Sequence, residues 1–147
     1  MKTIRQILKG KGRNIWTITP ETPVFDALQL MAKKDIGALM VVEGKKLVGV
    51  FSERDYARKV ILKGKSSKNV KISEIMSSPP IFIEPDHIIE QGLALMSAKH
   101  VRHLPVMENN RLIGVVTIGD LVKALIVEQK VVIDHLEKYI VTKTSIT

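Results

Sequence analysis

Apolar residues make up 45% and charged residues 26% of the 147-residue chain, the balance of an ordinary globular fold of one domain, or of two small halves sharing a core. There is no cysteine, which excludes disulfides, thiolate metal sites and a cysteine nucleophile; one Trp, two Tyr and three Phe leave the core to aliphatic side chains. The net charge of +8 favours anionic partners without choosing among nucleotide phosphates, nucleic acid and an acidic membrane face.

Residues 3–8 (Thr-Ile-Arg-Gln-Ile-Leu) read as a short amphipathic helix with Ile4, Ile7 and Leu8 on one side, ended by Lys9-Gly10-Lys11-Gly12. Residues 15–18 form a short strand broken by Pro20. Thr22 is placed as an N-cap, with Pro23 at the first helical position and Val24, Ala27, Leu28 and Met31 on one face of a helix ending near Lys34. Strand 38–42, a hairpin turn at Glu43-Gly44-Lys45-Lys46 and strand 47–51 follow. Ser52 caps a helix from Glu53 to about Leu62, and Lys63 to Asn69 is a polar linker.

The pattern then begins again. Residues 70–76 echo residues 2–8, and Pro79-Pro80 breaks them. Ile81-Phe82-Ile83 is expected as a strand, then a turn at 84–86, helix 88–99, strand 103–107, a turn at 108–110 and strand 112–116. Thr117 caps a last helix running to about Ile140 with no Gly or Pro, and residues 142–147 are expected as a frayed tail. The last helix is too long for one small unit to cover. It folds back over the first helix or packs on another subunit.

Shifting the chain by 65 residues aligns Pro20–Arg58 with Pro85–Lys123 without a gap. Identical pairs include Pro20/Pro85, Met31/Met96, Leu39/Leu104, Gly49/Gly114 and Asp55/Asp120. Two copies are too few for a solenoid. The fold class expected is α/β (α+β): two β-α-β-β-α repeats related by pseudo-twofold symmetry, their sheets making one core. The division is residues 1–66, the first repeat with its N-terminal helix, and 67–147, the second with the extended last helix.

Within the repeat one phrase carries chemistry: G-V-F-S-E-R-D at 49–55 and G-V-V-T-I-G-D at 114–120. Each follows an apolar strand and opens a helix. Gly49 and Gly114 leave room for a close backbone or ligand approach. Ser52 and Thr117 present hydroxyls beside free helix N–H groups, where anions are favoured. Asp55 and Asp120 either stabilise their helices as first-turn acids or accept two hydrogen bonds from a ribose diol. In Val101-Arg102-His103-Leu104-Pro105-Val106, two basic residues enter an apolar strand, either facing solvent or forming a phosphate clamp. Arg54 could serve likewise. In the second copy, Ile118-Gly119 leaves an apolar, open approach where the first has Glu53-Arg54, so the two clefts are expected to differ in ligand preference or occupancy.

Other chemistries lack their signatures. His87, His100, His103 and His135 have no zinc-ligand spacing, and there is no G-x-S-x-G, P-loop or G-x-G-x-x-G. The basic clusters, Lys9, Lys11 and Arg13, then Lys59, Lys63, Lys65, Lys68 and Lys71, lack interleaved aromatics. No apolar segment approaches the roughly 20 residues that span a bilayer, and Met1–Gln6 lacks a signal-peptide apolar run. A cytoplasmic setting without membrane association is expected.

The two G-h-h-[ST]-x-x-D phrases, their hairpins, the T-x-x-T-P-V segment at Thr19–Val24 and the V-R-H-L-P-V strand resemble a tandem pair of cystathionine-β-synthase (CBS) domains, a Bateman module. The resemblance covers about residues 3–125. Through S-E-R-D-Y-x-R-K at 52–59 and I-G-D-L-V-K at 118–123 it is similar to small stand-alone CBS-pair proteins. It implies a non-enzymatic regulatory module with no required cofactor, binding an adenosyl nucleotide (AMP, ADP, ATP, NAD or S-adenosylmethionine) in clefts between the repeats. Asp55 and Asp120 would hold ribose hydroxyls, with Ser52 and Thr117 near ribose or phosphate. Asp120 and Thr117 would work with Thr19, Gly37 and Ala38; Asp55 and Ser52 with Ile81, Ile83 and Val101. Arg102, His103 and Arg54 would face phosphates, and Gly119 would border the second cleft. A homodimer and an unidentified effector protein are the implied partners. A basic nucleic-acid-binding protein on the same scaffold is the alternative, and a nucleotide-hydrolysing enzyme a more distant third.

Overall fold

The computed structural model describes residues 1–12 and 14–145, with side chains to Thr142. Arg13 of the basic cluster and residues 146–147 of the expected tail lie outside the described residues.

The hairpins form where the turn residues dictate. β2 (Ala38–Glu43) and β3 (Lys46–Ser52) pair antiparallel around Gly44 at φ +59°. β4 (His103–Glu108) and β5 (Arg111–Thr117) pair around Asn109 and Asn110, both at positive φ, the conformation of a tight two-residue hairpin turn. The register slips between Val41 and Val42 in one hairpin and between Val106 and Met107, their counterparts, in the other. β1 (Thr17–Ile18) adds parallel to β2. Mixed α/β repeats of related build are therefore present, as expected.

Helices cover these sheets. α2 (Val24–Lys34) buries Val24, Ala27 and Met31 at helical spacing, and α5 (Ile89–Lys99) buries Ile89, Gly92 and Met96. Both end on a residue in the left-handed conformation, Asp35 and His100, which occupy equivalent places in the repeat. α1 (Ile4–Lys11) is capped by Thr3, whose Oγ1 accepts from Gln6 N at 3.3 Å while its N donates to Gln6 Oε1 at 2.9 Å. α3 (Glu53–Lys59), α4 (Ile72–Ile75) and α6 (Ile118–Ser145) complete the chain.

Local readings are revised at five places. Pro23, not Thr22, holds the cap position of α2; Thr22 Oγ1 instead accepts from Thr19 N at 3.1 Å and closes the turn before the helix. Residues 81–83 make a single parallel bridge, Ile83 to Val106, rather than a strand, because Pro79, Pro80 and Pro85 flank the segment and cannot donate. α3 stops at Lys59, where the chain turns to bury Val60 and passes through a short 3-10 turn to Gly64 at φ +69°. α4 is a single turn. α6 continues to Ser145, past the expected end near Ile140 and into the segment expected to fray.

The buried side chains form two clusters rather than the one core expected, and each borrows from the other repeat. The first joins α2, β2 and Phe51 of β3 to Val70, Ile72 and Ile75. The second joins α5, β4, Val116 and Leu121 to Ile4, Ile7 and Leu8 of α1. The segment before each repeat thus packs on the opposite repeat. Main-chain bonds fix the exchange: Ile4 N to His87 O at 2.9 Å and Arg5 N to Pro85 O at 2.9 Å on one side, Ile72 N to Thr22 O at 2.9 Å and Ser73 N to Pro20 O at 2.9 Å on the other. Arg5 adds ion pairs to Asp86 and Glu108. Both cores cross the 66/67 division expected from the sequence.

Candidate functional site

Each repeated phrase sits where a strand runs straight into a helix, so the hydroxyl residue is both the strand's last residue and the helix cap. At the first, Ser52 Oγ accepts from Asp55 N at 3.2 Å and Ser52 N donates to Asp55 Oδ2 at 3.0 Å. At the second, Thr117 Oγ1 accepts from Asp120 N at 3.1 Å and Thr117 N donates to Asp120 Oδ2 at 2.9 Å. The two aspartates are thus held in place by reciprocal capping boxes. Cross-strand register puts Ala38 opposite Ser52 and His103 opposite Thr117. The helix that follows is tied back to the neighbouring strand by Glu53 N to Gly37 O at 3.1 Å, and by Ile118 N to Arg102 O at 2.9 Å.

The chain's own groups stand before both carboxylates. Asp55, buried to 8% exposure, also accepts from Ser77 Oγ at 3.1 Å and pairs with Lys59 Nζ at 3.1 Å, both through Oδ1. Asp120 Oδ2 meets Lys11 Nζ at 2.6 Å, and the same ammonium donates to Val115 O at 2.8 Å. Burial pushes the Asp120 carboxyl up, but the Lys11 ammonium and the Thr117 donors outweigh it and hold the group below its ordinary value.

The glycines of the phrases are not open approaches. A Cβ at Gly114 would stand 2.6 Å from Leu8 Cδ2, and one at Gly49 would stand 2.7 Å from Met76 Sδ and 3.0 Å from Ser77 O. Leu8 and Met76 close the echoing segments 2–8 and 70–76, so the two notches are filled alike, by the exchanged segments. This corrects the ligand-approach reading of both glycines.

Between the repeats, His103 lies against Gly37: a Cβ there would be 3.3 Å from both Cε1 and Nε2 of the imidazole. Burial lowers the His103 pKa below its ordinary value, and Lys11 and Arg102 lower it further, while Glu53 and Asp120 act the other way. His103 therefore shares one neighbourhood with Lys11, Asp120, Glu53 and Arg102. Arg54 Nη1 donates to His100 O at 2.9 Å across the same boundary. Its counterpart Gly119 has no side chain to reach Asp35, and a Cβ there would meet nothing closer than Thr117 Oγ1 at 3.6 Å.

The remaining expected residues fall as follows. Arg102 is exposed. Thr19 is exposed in its turn with Thr22, the two hydroxyls 3.1 Å apart. Ile83 is buried in the second core, with Ile81 and Val101 half-buried against it. A cavity of about 400 Å³ opens beside Gly37 and Glu53, walled by Leu28 and Met31 of α2; a second, of about 520 Å³, lies between the hairpin ends at Lys45, Lys46 and Met107. Neither is lined by Asp55 or Asp120. Sequence reasoning did not bring Lys11, Ser77 or Lys59 to the sites. Lys59 lies one helical turn from Asp55 and could have been found from that spacing; Lys11 and Ser77 carry no local signal. Among the described residues no cluster of three or more His, Asp or Glu side chains could hold a metal ion, and no helix is long and apolar enough to cross a membrane.

The sequence and the fold match known proteins. The profile of the CBS domain matches residues 5–62 and 72–127. The mitochondrial CBS domain-containing protein CBSX3 of Arabidopsis thaliana is 36% identical over 94% of this chain and 71% of its own length. A solved protein with CBS domains from Burkholderia ambifaria is 46% identical, superposes with a TM-score of 0.83 and covers 87% of this chain and 96% of its own. The CBS pair of protein MJ0100, solved with 5′-methylthioadenosine and S-adenosylmethionine, shares the fold at 24% identity, with a TM-score of 0.74 over 85% of this chain and 96% of its own.

Proposed function

Since the chain belongs to the CBS-domain family, we propose that it is a non-enzymatic regulatory module that binds an adenosyl nucleotide (AMP, ADP, ATP or NAD) between its repeats and signals to an effector protein in the cytoplasm. The observation that carries this reading is the pair of capped carboxylates, Asp55 and Asp120, at equivalent strand-to-helix junctions. At Asp120, whose side chain is 25% exposed, a carboxylate fixed by its own helix cap can accept from a vicinal diol without moving; at Asp55 a diol would have to displace donors of the chain itself. The helix N-terminus beside it favours phosphate. His103 on Gly37 and Arg54 on His100 O join the two repeats, so a ligand bound between the repeats would change how the halves meet. The ligand acts to the extent that it binds one arrangement of the halves better than the other.

Thermal-shift titration with AMP, ADP, ATP, NAD and S-adenosylmethionine tests the reading on the wild type, Asp55→Asn and Asp120→Asn. A ligand at about 100 times its Kd stabilises by about 2.7 kcal/mol through mass action, enough for a clear rise in Tm. The shift is expected for the wild type and reduced for one or both variants, each read against its own ligand-free Tm. Absence of a shift with every adenosyl compound rejects the function; full shifts in both variants reject the site.

We also propose a homodimer built on α6. Val131, Val132, Ile133 and Leu136 are each more than half exposed on this helix. Lys130, Asp134, Glu137 and Lys138 put charges of both signs among them, so a second copy of the same helix offers both apolar cover and opposite charges.

A further inference from the structure

Asp55 and Asp120 are equivalent by the repeat and unlike in what occupies them. The Asp55 carboxylate is saturated from within: Ser52 N and Oγ on Oδ2, Ser77 Oγ and Lys59 on Oδ1, with the side chain 10% exposed. The Asp120 side chain is 25% exposed, and its outside partner is Lys11, itself 34% exposed. Lys11 is the last residue of α1, followed by Gly12 at φ +92°. Leu8, one turn earlier, is pinned in the notch of Gly114. The base of the lysine is therefore fixed while its flexible four-carbon stem and ammonium are at the surface.

We propose that Lys11 is the specificity-determining residue of the Asp120 cleft, a counter-ion that a ribose diol displaces and that then pairs with the ligand's 5′-phosphate. This rests on the adenosyl-nucleotide reading above. A vicinal diol donates to both carboxylate oxygens, so it competes with Lys11 for Oδ2. An ammonium removed from a carboxylate at a partly desolvated site needs another anion. A nucleotide brings one; a nucleoside does not, and a sulfonium-bearing adenosyl compound brings the wrong sign. Arg102, which shares the neighbourhood of Lys11, adds to the same positive field, and neutral His103 can donate a hydrogen bond there. The Asp120 cleft therefore selects phosphorylated adenosyl ligands.

The test compares AMP with adenosine, which differ by the phosphate alone. Binding is read from the backbone amide resonances of Thr117 and Gly119, so the Asp55 cleft does not contribute. The wild type is expected to bind AMP more tightly than adenosine. Lys11→Met is expected to weaken AMP about tenfold, the loss of one charge-assisted contact, and to tighten adenosine, since the competitor is gone. Lys11→Arg is expected to keep the AMP preference. Lys11→Gln repeats the measurement should Lys11→Met not give a folded spectrum. An unchanged AMP-to-adenosine ratio in Lys11→Met or Lys11→Gln, with AMP still moving both resonances, overturns the role of Lys11 and leaves the nucleotide reading standing. If neither compound moves these resonances in the folded wild type, the reading fails at this cleft and the inference with it.

Discussion

His103 shows how one side chain can carry both structure and charge logic. It opens β4 opposite Thr117, lies against Gly37 of the other repeat, and feels the charges of Lys11, Arg102, Glu53 and Asp120. Its pKa is lowered below that of an unfolded histidine, first by burial and then by Lys11. The unfolded chain therefore takes up this proton first as pH falls through the ordinary value near 6.5. The contribution of neutral His103 is complete above that value and is lost as pH drops toward the lower folded one. Tm measured between about pH 7.5 and 5 should fall more for the wild type than for His103→Gln, which keeps a donor and does not titrate; parallel curves would remove His103 as the source. Asp120, held below its ordinary value, acts in more acidic solution: its contribution is present above that value and fades below it. At this scale the capping residues were legible, because Ser52 with Asp55 and Thr117 with Asp120 are three apart and need no tertiary partner. Lys11 was visible as one member of a basic cluster and nothing more.

Among elements, the exchange of α1 and α4 between the repeats matters most. α1 belongs by sequence to the first half, yet Ile4, Ile7 and Leu8 fill the second core, and Gly114 of β5 is shaped to receive Leu8. In Gly114→Ala the new methyl would stand 2.6 Å from one Leu8 methyl carbon and 2.9 Å from the other, and Leu8 is 1% exposed with no open space to enter. Overpacking of this kind costs about 1–3 kcal/mol, so the Tm of Gly114→Ala should fall by several degrees in calorimetry, with α1 loosened from β5. An unchanged Tm would mean that α1 docks more adaptably than its packing implies. The apolar face of α1 was evident from Ile4, Ile7 and Leu8, but a face does not say which sheet it will cover. The failed strand at 81–83 teaches the converse: apolar residues were present, and the prolines around them left one bridge where a ladder was expected.

For the molecule as a whole, the two cores with exchanged segments make each half depend on the other, and α6 reaches beyond both. Its core contacts are made early, through Leu121, Ala124 and Leu125. Beyond them the apolar residues from Val131 to Val141 are more than half exposed in the single chain. A chain ending at Val127 should keep its fold and sediment as a monomer, while the full chain sediments as a dimer; a truncated form that still dimerises would move the interface to another surface. The +8 charge is read at this scale too. Part of it lies at Lys11 and Arg102 near Asp120, and part at exposed Lys63, Lys65 and Lys68, where it is a solvated surface.

The sequence by itself determined the duplication, the two hairpins with their turns, the capped strand-to-helix junctions and the family. Each of these rests on spacing within a few residues or on a constant offset between copies, which a linear reading preserves. Only the tertiary structure decided which half α1 and α4 cover, that Leu8 and Met76 fill the glycine notches, and that Lys11 stands on Asp120 while Ser77 stands on Asp55. Those contacts join residues far apart in the chain by shape and charge, and no local period encodes them. Equal phrases therefore have unequal surroundings: one carboxylate saturated by its own repeat junction and Ser77, the other paired with a lysine from the end of α1.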